Sequence, residues 1–207
     1  MVIRPGESWG EPWTDGPDDL TLDDAALAGE AYRRHLLKTS AQDPDTSDIL
    51  LSVDHGDVLK TVGLTSNRDS DDQLRFPFDL GLVSIDDADP LPFAAHVVGR
   101  RRLWSGEFLV AMNVSWSGRN YLGPKAHPND GLVDITIGSL DAKQRLIARK
   151  RATTGSHLPH PDLRVVRRKL YDHGFGTDTP VIVDGIRLGT CSRLKIEVLP
   201  DAFWLVA

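Results

Sequence analysis

A turn-rich segment that leads into a strand-like run constrains the fold of this 207-residue chain most strongly. Residues 118–131 contain glycines, prolines and an Asn-Asp-Gly triplet, and these residue types supply the positive φ that tight turns need. Residues 132–137 then alternate polar with β-branched apolar residues, as a strand does. A carboxylate at the lip of a strand suits an ion- or ligand-binding corner, but the residues alone favour an ordinary hairpin.

Several runs in and around this segment form a wider pattern: Asn113, Gly118–Tyr121, Gly123–Pro124, Ala126–Asp134 and Val181–Gly185. Together with the last strand-like run, they resemble the carboxy-terminal β-domain of the diacylglycerol kinase and sphingosine kinase family of lipid kinases. The resemblance covers roughly the final two-thirds of the chain. It implies an α+β fold, in which residues 74–207 form an antiparallel β-sandwich of the NAD kinase/diacylglycerol kinase type. Residues 1–73 would then be a reduced α/β segment.

The charge of the chain is divided unevenly along its length. Residues 1–90 carry 7 Lys/Arg against 20 Asp/Glu, whereas residues 91–207 carry 17 against 10, within a net charge of −6. The second part could present a basic face to a lipid, an anionic membrane surface or the first part of a neighbouring copy, although solvated charge explains the same counts. We expect no nucleic-acid partner, because the basic residues are not interleaved with aromatic ones. A homo-oligomer or a partner protein stays open.

Hydropathy and cysteine content bear on the compartment. No apolar run approaches the roughly 20 residues that a membrane-spanning helix needs, and the first residues do not resemble a signal peptide. The single cysteine, Cys191, cannot form an internal disulfide. These observations predict a cytoplasmic protein, at most peripheral to a membrane.

The sequence of residues 1–73 predicts an amino-terminal arm that contains tryptophans, followed by a small α/β unit. Trp9 and Trp13 lie among prolines and glycines, and side chains of this size are expected to pin the arm onto the body of the protein. Thr21 or Asp23 could cap a helix that runs through Leu37. A strand over 49–53 and helical turns over 58–62 follow. The predicted inner side of the helix consists of Leu22, Ala26, Ala31, Leu36 and Leu37.

The α/β unit lies where a lipid kinase of this family would hold its nucleotide. The family's loop is Gly-Gly-Asp-Gly-Thr, whose bare backbone N–H groups approach phosphates. Here Gly56 and Asp57 are what remains of that loop, and His55 stands where the leading glycine would be. The family's second phosphate segment, ending in Gly-Asn-Asp, has no counterpart. We therefore expect that the chain does not bind ATP in the family's manner.

The family's presumed general base is also replaced. The family's turn reads Asp-Gly-Glu, whereas this chain has Asp184, Gly185 and Ile186, and an alkyl group cannot accept a proton. The resemblance thus implies a non-catalytic family member that binds a lipid or other anionic amphiphile, or regulates a partner. The alternative is an ATP-dependent lipid kinase whose site is rearranged or completed by a second subunit, with Asp184 as the fallback acid. A purely structural interaction module is the third interpretation.

The resemblance further implies a weak magnesium site. In the family the Asp of the Asn-Asp-Gly turn binds Mg²⁺ together with neighbouring carbonyls, and the matching positions are Asp130, His127 and Leu132, the last two by carbonyl oxygen. A single carboxylate ligand binds Mg²⁺ weakly, so we expect the site to be occupied only at high metal concentration.

A rim that binds anions or lipid headgroups is predicted from five basic residues: Arg100, Arg101, Arg102, Arg119 and Lys125.

A basic helix is predicted over residues 141–151, with Ser139 as its cap and with Leu146 and Ile147 facing inward. Its Lys and Arg side chains could meet an anionic membrane surface. His157, His160 and Asp162 suggest a metal site at first sight. The two prolines among them and the lack of a second ligand cluster favour ordinary loop residues instead.

Overall fold

The strands of the protein form one mixed sheet that is mainly antiparallel. A computed structural model describes residues 9–12, 21–40, 49–53, 55–63 and 74–206. Within these residues the strands are β1 (Glu11–Pro12), β2 (Thr21–Leu22), β3 (Leu50–Val53), β4 (Leu74–Ile85), β5 (Leu91–Phe93), β6 (His96–Gly99), β7 (Glu107–Met112), β8 (Val133–Ser139), β9 (Leu163–Arg168), β10 (Leu170–Val183) and β11 (Ile186–Val206). The helices are α1 (Asp24–Ser40), α2 (Asp57–Thr61) and α3 (Ala142–Arg151), with 3₁₀ turns at Arg102–Trp104 and Ala152–Thr154.

The order of strands in the sheet is β1-β4-β11-β10-β6-β7-β8-β9, with antiparallel neighbours throughout. β5 pairs antiparallel with β4, while β2 and β3 add a parallel patch beside β11. The long strands β4 and β11 run from the Leu194–Ile85 pair to the Val206–Arg75 pair, with a bulge between Leu199 and Phe203. The predicted antiparallel sandwich fold is therefore confirmed.

The central strands are buried on both faces, which explains their continuous apolar sequence. Side chains of a strand alternate between faces, so β6 and β7 contribute to two separate core clusters. Val97 and Leu109 pack into one cluster with Ile135 and Leu194. The opposite face carries the second cluster, hereafter the outer cluster, which consists of Val98, Phe108, Val110, Met112, Ala126, Leu140 and Leu163.

The first part of the chain shares the sheet and a core with the β-strands that follow it. β3 pairs with the end of β11, and Leu27 of α1 packs in the same cluster as Phe78 of β4 and Phe203 of β11. The arm is pinned through Trp9, whose indole Nε1 donates to the Pro77 carbonyl over 3.3 Å. Trp13 lies outside the described residues, and the division of the chain at residue 73 stays a prediction.

Helix α1 begins where one of the two predicted caps places it, but its buried face differs. The Asp23 carboxylate accepts the Ala26 N–H at 2.8 Å, so Asp23 is the cap. The buried residues, Leu27, Ala28 and Ala31, follow the three- and four-residue spacing of a helix from Asp24. The prediction was wrong for Ala26 and Leu36, which are exposed, and the Leu37 side chain is not described.

Helix α3 differs most from expectation. Its cap is Asp141, which exchanges bonds of 2.8 Å with the backbone and side chain of Gln144, whereas Ser139 still belongs to β8. Leu146 is 71% exposed and Ile147 42% exposed, so their predicted inward orientation was wrong. Ala148, rather than Leu146 or Ile147, is the helix residue that packs against the outer cluster. None of the described helices is long and apolar enough to cross a membrane.

Candidate functional site

The turn that joins β10 to β11 presents the Asp184 carboxylate to the link between β5 and β6. Val183 pairs with Ile186, so Asp184 and Gly185 form a two-residue hairpin loop, and both have the positive φ that this loop requires (44° and 83°). The carboxylate accepts backbone N–H groups from Ala94 at 2.7 Å, Ala95 at 3.0 Å and His96 at 2.7 Å. Burial raises the pKa of Asp184 to about 7, against the lowering effect of these bonds.

This arrangement changes what the turn can do chemically. Both oxygens of Asp184 are engaged in tethering the hairpin, so the carboxylate has a structural task that a free general base does not have. Ile186, at the position where the resemblance expects a glutamate, is 54% exposed and brings an alkyl surface.

The turn before α2 is closed by a carboxylate from α1. Gly56 has a φ of 110°, and the backbone N–H groups of Asp57 and Val58 donate to the Asp24 carboxylate at 2.7 and 3.2 Å. A Cβ on Gly56 would collide with Asp24. Burial raises the pKa of Asp24 to about 6, with the two backbone bonds opposing. The backbone donors of the turn at Gly56–Asp57 are therefore directed at an internal carboxylate.

Asp57 ties this turn to the loop between β7 and β8. Its two carboxylate oxygens accept the Gly118 N–H at 2.8 and 2.9 Å. The Lys60 ammonium donates to the Gly118 carbonyl at 2.9 Å and lies 3.7 Å from the centre of the Trp116 ring. The structure thus brings together Gly56–Asp57 and the run at Gly118, two parts of the sequence that the resemblance singled out separately.

A serine, a histidine and an aspartate meet beside this link. The Ser117 hydroxyl lies 3.3 Å from His96 Nε2, and Asp57 Oδ2 lies 3.8 Å from His96 Nδ1. Burial lowers the pKa of His96, which favours the neutral imidazole. The arrangement of serine, histidine and aspartate resembles a nucleophilic triad, but the aspartate lies beyond hydrogen-bond distance of the histidine. The Gly118 N–H, next to the serine, is donated to Asp57 instead of facing a developing oxyanion. We interpret this cluster, which sequence reasoning missed, as structural.

The predicted magnesium ligand Asp130 is paired with an arginine. Its Oδ1 accepts the Leu132 N–H at 3.0 Å, and its Oδ2 accepts from Arg167 Nη2. Arg167 Nε also donates to Asp134 at 2.7 Å, so one guanidinium bridges two carboxylates. Burial raises the pKa of Asp130, and the Arg167 charge opposes this.

These contacts fit a magnesium ion poorly. Both oxygens of Asp130 already have donors, and the positively charged Arg167 guanidinium bridges Asp130 and Asp134. Among the described residues there is no group of three or more metal-ligating side chains. The metal site stays a prediction, and no chemical step is derived from it.

The Asn-Asp-Gly turn is held by Asp79, a fully buried residue of β4 that sequence reasoning missed. Its carboxylate accepts the Gly131 N–H at 2.7 Å and the Asp201 N–H at 2.9 Å. The Asn113 amide donates to the Asp79 carbonyl at 3.0 Å and to the Ala94 carbonyl at 2.9 Å. Burial raises the pKa of Asp79 to about 6. Two runs that carry the resemblance therefore have a structural role.

The five predicted rim residues lie in two loops that leave opposite ends of β7. Arg100 stacks over Trp104 at 4.9 Å, Arg101 donates to Thr177 and Arg102 is exposed, all between β6 and β7. The other two, Arg119 and Lys125, are exposed in the loop between β7 and β8. They are not neighbours along one rim, because the length of β7 separates the two loops.

The fold and these turns define a β-sandwich domain of the diacylglycerol kinase-like type. The chain belongs to the family of the YegS C-terminal NAD kinase beta sandwich-like domain, whose model matches residues 62–207. A search of the curated proteins finds no match.

Solved structures support the same fold. A diacylglycerol kinase from Bacillus anthracis str. Sterne has a TM-score of 0.54 at 14% identity, over 75% of this chain and 66% of its own. A second structure from that organism, with a provisional diacylglycerol kinase assignment, has a TM-score of 0.55 at 12% identity, over 75% and 69%. At such identities the likeness shows the fold alone, and the chain spans about two-thirds of their length.

Proposed function

We propose that this chain is a non-catalytic member of the diacylglycerol and lipid kinase superfamily that binds a lipid or other anionic amphiphile, peripheral to a membrane, or regulates a partner there. One observation carries the proposal: the Asp24 carboxylate accepts hydrogen bonds from the backbone N–H groups of Asp57 and Val58. An anion bound there would have to displace an internal carboxylate from its two donors and then lie beside its negative charge.

The second part of a phosphoryl-transfer site is altered as well. Ile186 cannot take a proton from a lipid hydroxyl, and removal of a general base typically costs about 10²–10⁴-fold in rate. The rival proposal, an active kinase with a rearranged site, needs another acid for this step, and the nearest candidate is Asp184. Its three backbone bonds would have to break before the carboxylate could reach a substrate.

Nucleotide titration tests the non-catalytic part of this proposal. We expect no change in the melting temperature of the purified protein with ATP and Mg²⁺ up to millimolar concentrations. A ligand at a hundred times its dissociation constant would stabilise the fold by about 2.7 kcal/mol, so binding would be visible. Asp24→Asn is the matched variant, because it removes the charge from the donors and keeps the side-chain length. A saturable, magnesium-dependent stabilisation of the wild type would contradict the proposal.

A further inference from the structure

The surface of α3 is strongly basic. Residues 142–151 contain five Lys/Arg and no Asp/Glu. Arg145 is tied back through a bond of 2.7 Å to the Leu140 carbonyl, and Lys143, Arg149, Lys150 and Arg151 are exposed. Two acids at the start of the helix, Asp141 and Asp162, are both bonded to Gln144. A third, Glu107, pairs with Ser139 just before the helix and lies 3.6 Å from His173 Nε2.

Two apolar side chains project from the middle of this basic surface. Leu146 and Ile147 are 71% and 42% exposed, and Leu146 has the largest exposed fraction of any large apolar residue in the described chain. Helical spacing puts Lys143 one turn before both residues and Lys150 one turn after both. Each apolar side chain is thus bracketed by ammonium groups.

Further basic residues continue the surface at both ends of α3. The helix follows β8, whose Ser139 pairs with Glu107 beside the loop of Arg100–Arg102. The 3₁₀ turn after the helix contacts the loop between β7 and β8, which carries Arg119 and Lys125. The Tyr121 N–H of this loop donates to the Ala152 carbonyl at 2.8 Å. Trp104 and Ala148 pack against the same outer cluster. A basic strip therefore crosses one side of the sandwich, with α3 in its centre.

We infer that this α3 strip is the docking surface for an anionic phospholipid bilayer. Lys and Arg groups near such a surface are each worth about 1 kcal/mol, and apolar side chains between them can enter the headgroup boundary. Nucleic acid offers the same negative charge, but it has no apolar layer that would receive Leu146 and Ile147. The inference rests on the proposed function, since it names the surface by which the protein meets lipid.

Vesicle co-sedimentation tests it with the full chain. The probes are phosphatidylcholine vesicles with and without phosphatidylglycerol. We expect binding only to the anionic vesicles, weakening as salt is added. The charge variant, Lys143→Gln with Arg149→Gln and Lys150→Gln, should bind roughly 100-fold more weakly, at about fivefold for each basic group. The apolar variant, Leu146→Ser with Ile147→Ser, should also lose binding while it keeps all of the charge.

The control is Leu91→Ser with Lys195→Gln. Leu91 is 42% exposed, like Ile147, but lies on β5 beside α1, and Lys195 is an exposed residue of β11. This control should bind like the wild type. All substituted side chains are exposed, so the melting temperatures should agree.

The outcomes separate the two levels of the proposal. Wild-type protein that binds no vesicles would overturn this inference and the lipid-binding part of the proposed function together. Wild-type binding that both α3 variants retain would overturn only the inference. Tighter binding to duplex DNA or single-stranded RNA than to anionic vesicles at equal salt would also overturn it, as would loss of binding in the charge variant alone.

Discussion

Replacement of Asp184 by alanine should lower the free energy of unfolding by at least about 3 kcal/mol, since each buried donor left without an acceptor costs about 1–3 kcal/mol. Three donors are affected, the N–H groups of Ala94, Ala95 and His96. The loss would occur where β6 begins and where the hairpin of β10 and β11 closes. Urea unfolding with an unchanged m-value measures it directly.

Asp178→Ala is the matched control for this experiment. Asp178 lies on β10, the strand that leads into the Asp184 turn, and is exposed. Its replacement should change the unfolding free energy by no more than about 0.5 kcal/mol. If Asp184→Ala behaved like this control, Asp184 would not be a structural tether, and its role as a free acid would have to be reconsidered.

The stability advantage of the wild type over Asp184→Asn should shrink as the pH rises from 4 to 7. Burial raises the pKa of Asp184 from 3.8 to about 7, so the folded state prefers the protonated acid. This contribution is fully present below the unfolded pKa and is lost as the pH approaches the folded one. At 1.36 kcal/mol for each pKa unit, the change amounts to up to about 4 kcal/mol.

Asparagine does not titrate, so the difference between the two proteins isolates Asp184. Asp79, another buried acid with a raised pKa, is present in both proteins and cancels. Asp24 is also present in both, but its charge contributes to the raised pKa of Asp184, so the difference includes this coupling. Urea unfolding of both proteins at several pH values gives the comparison. A difference that is constant, or that grows toward pH 7, would show that the carboxylate is ionised in the folded state throughout this range.

Local sequence patterns predicted the strands and turns well. The alternation in residues 132–137 and the Asn-Asp-Gly triplet gave β8 and the turn before it, and the resemblance gave the antiparallel fold. Asp23 was among the predicted caps because a cap bond spans only three residues. Such features depend on neighbours in the sequence, so the sequence alone contains them.

The partners of the buried carboxylates could not be predicted in this way. Asp24 meets Asp57 across 33 positions, and Asp184 meets Ala94 across 90. Both pairings depend on how separate elements meet in three dimensions, which periodicity does not encode. Arg167 likewise reaches Asp130 only because β9 pairs with β8.

The predicted orientation of α3 was wrong for a related reason. An apolar pair among basic residues predicts that one side of a helix is buried, but it does not show whether another part of the fold packs against that side. In the structure Ala148 is the residue of α3 that contacts the outer cluster, which leaves Leu146 and Ile147 facing away from it. The exposed pair that results is the feature on which the docking inference depends.

Phosphoryl transfer itself is the most direct test of the proposed function. The assay supplies ATP, Mg²⁺ and diacylglycerol in vesicles that contain phosphatidylglycerol, and measures phosphatidic acid against a protein-free reaction and an active diacylglycerol kinase. We expect no phosphatidic acid above the protein-free level while the protein sediments with the vesicles. Phosphatidic acid that increases with protein concentration and disappears in Asp184→Asn would contradict the proposal and establish an active kinase with Asp184 as its base.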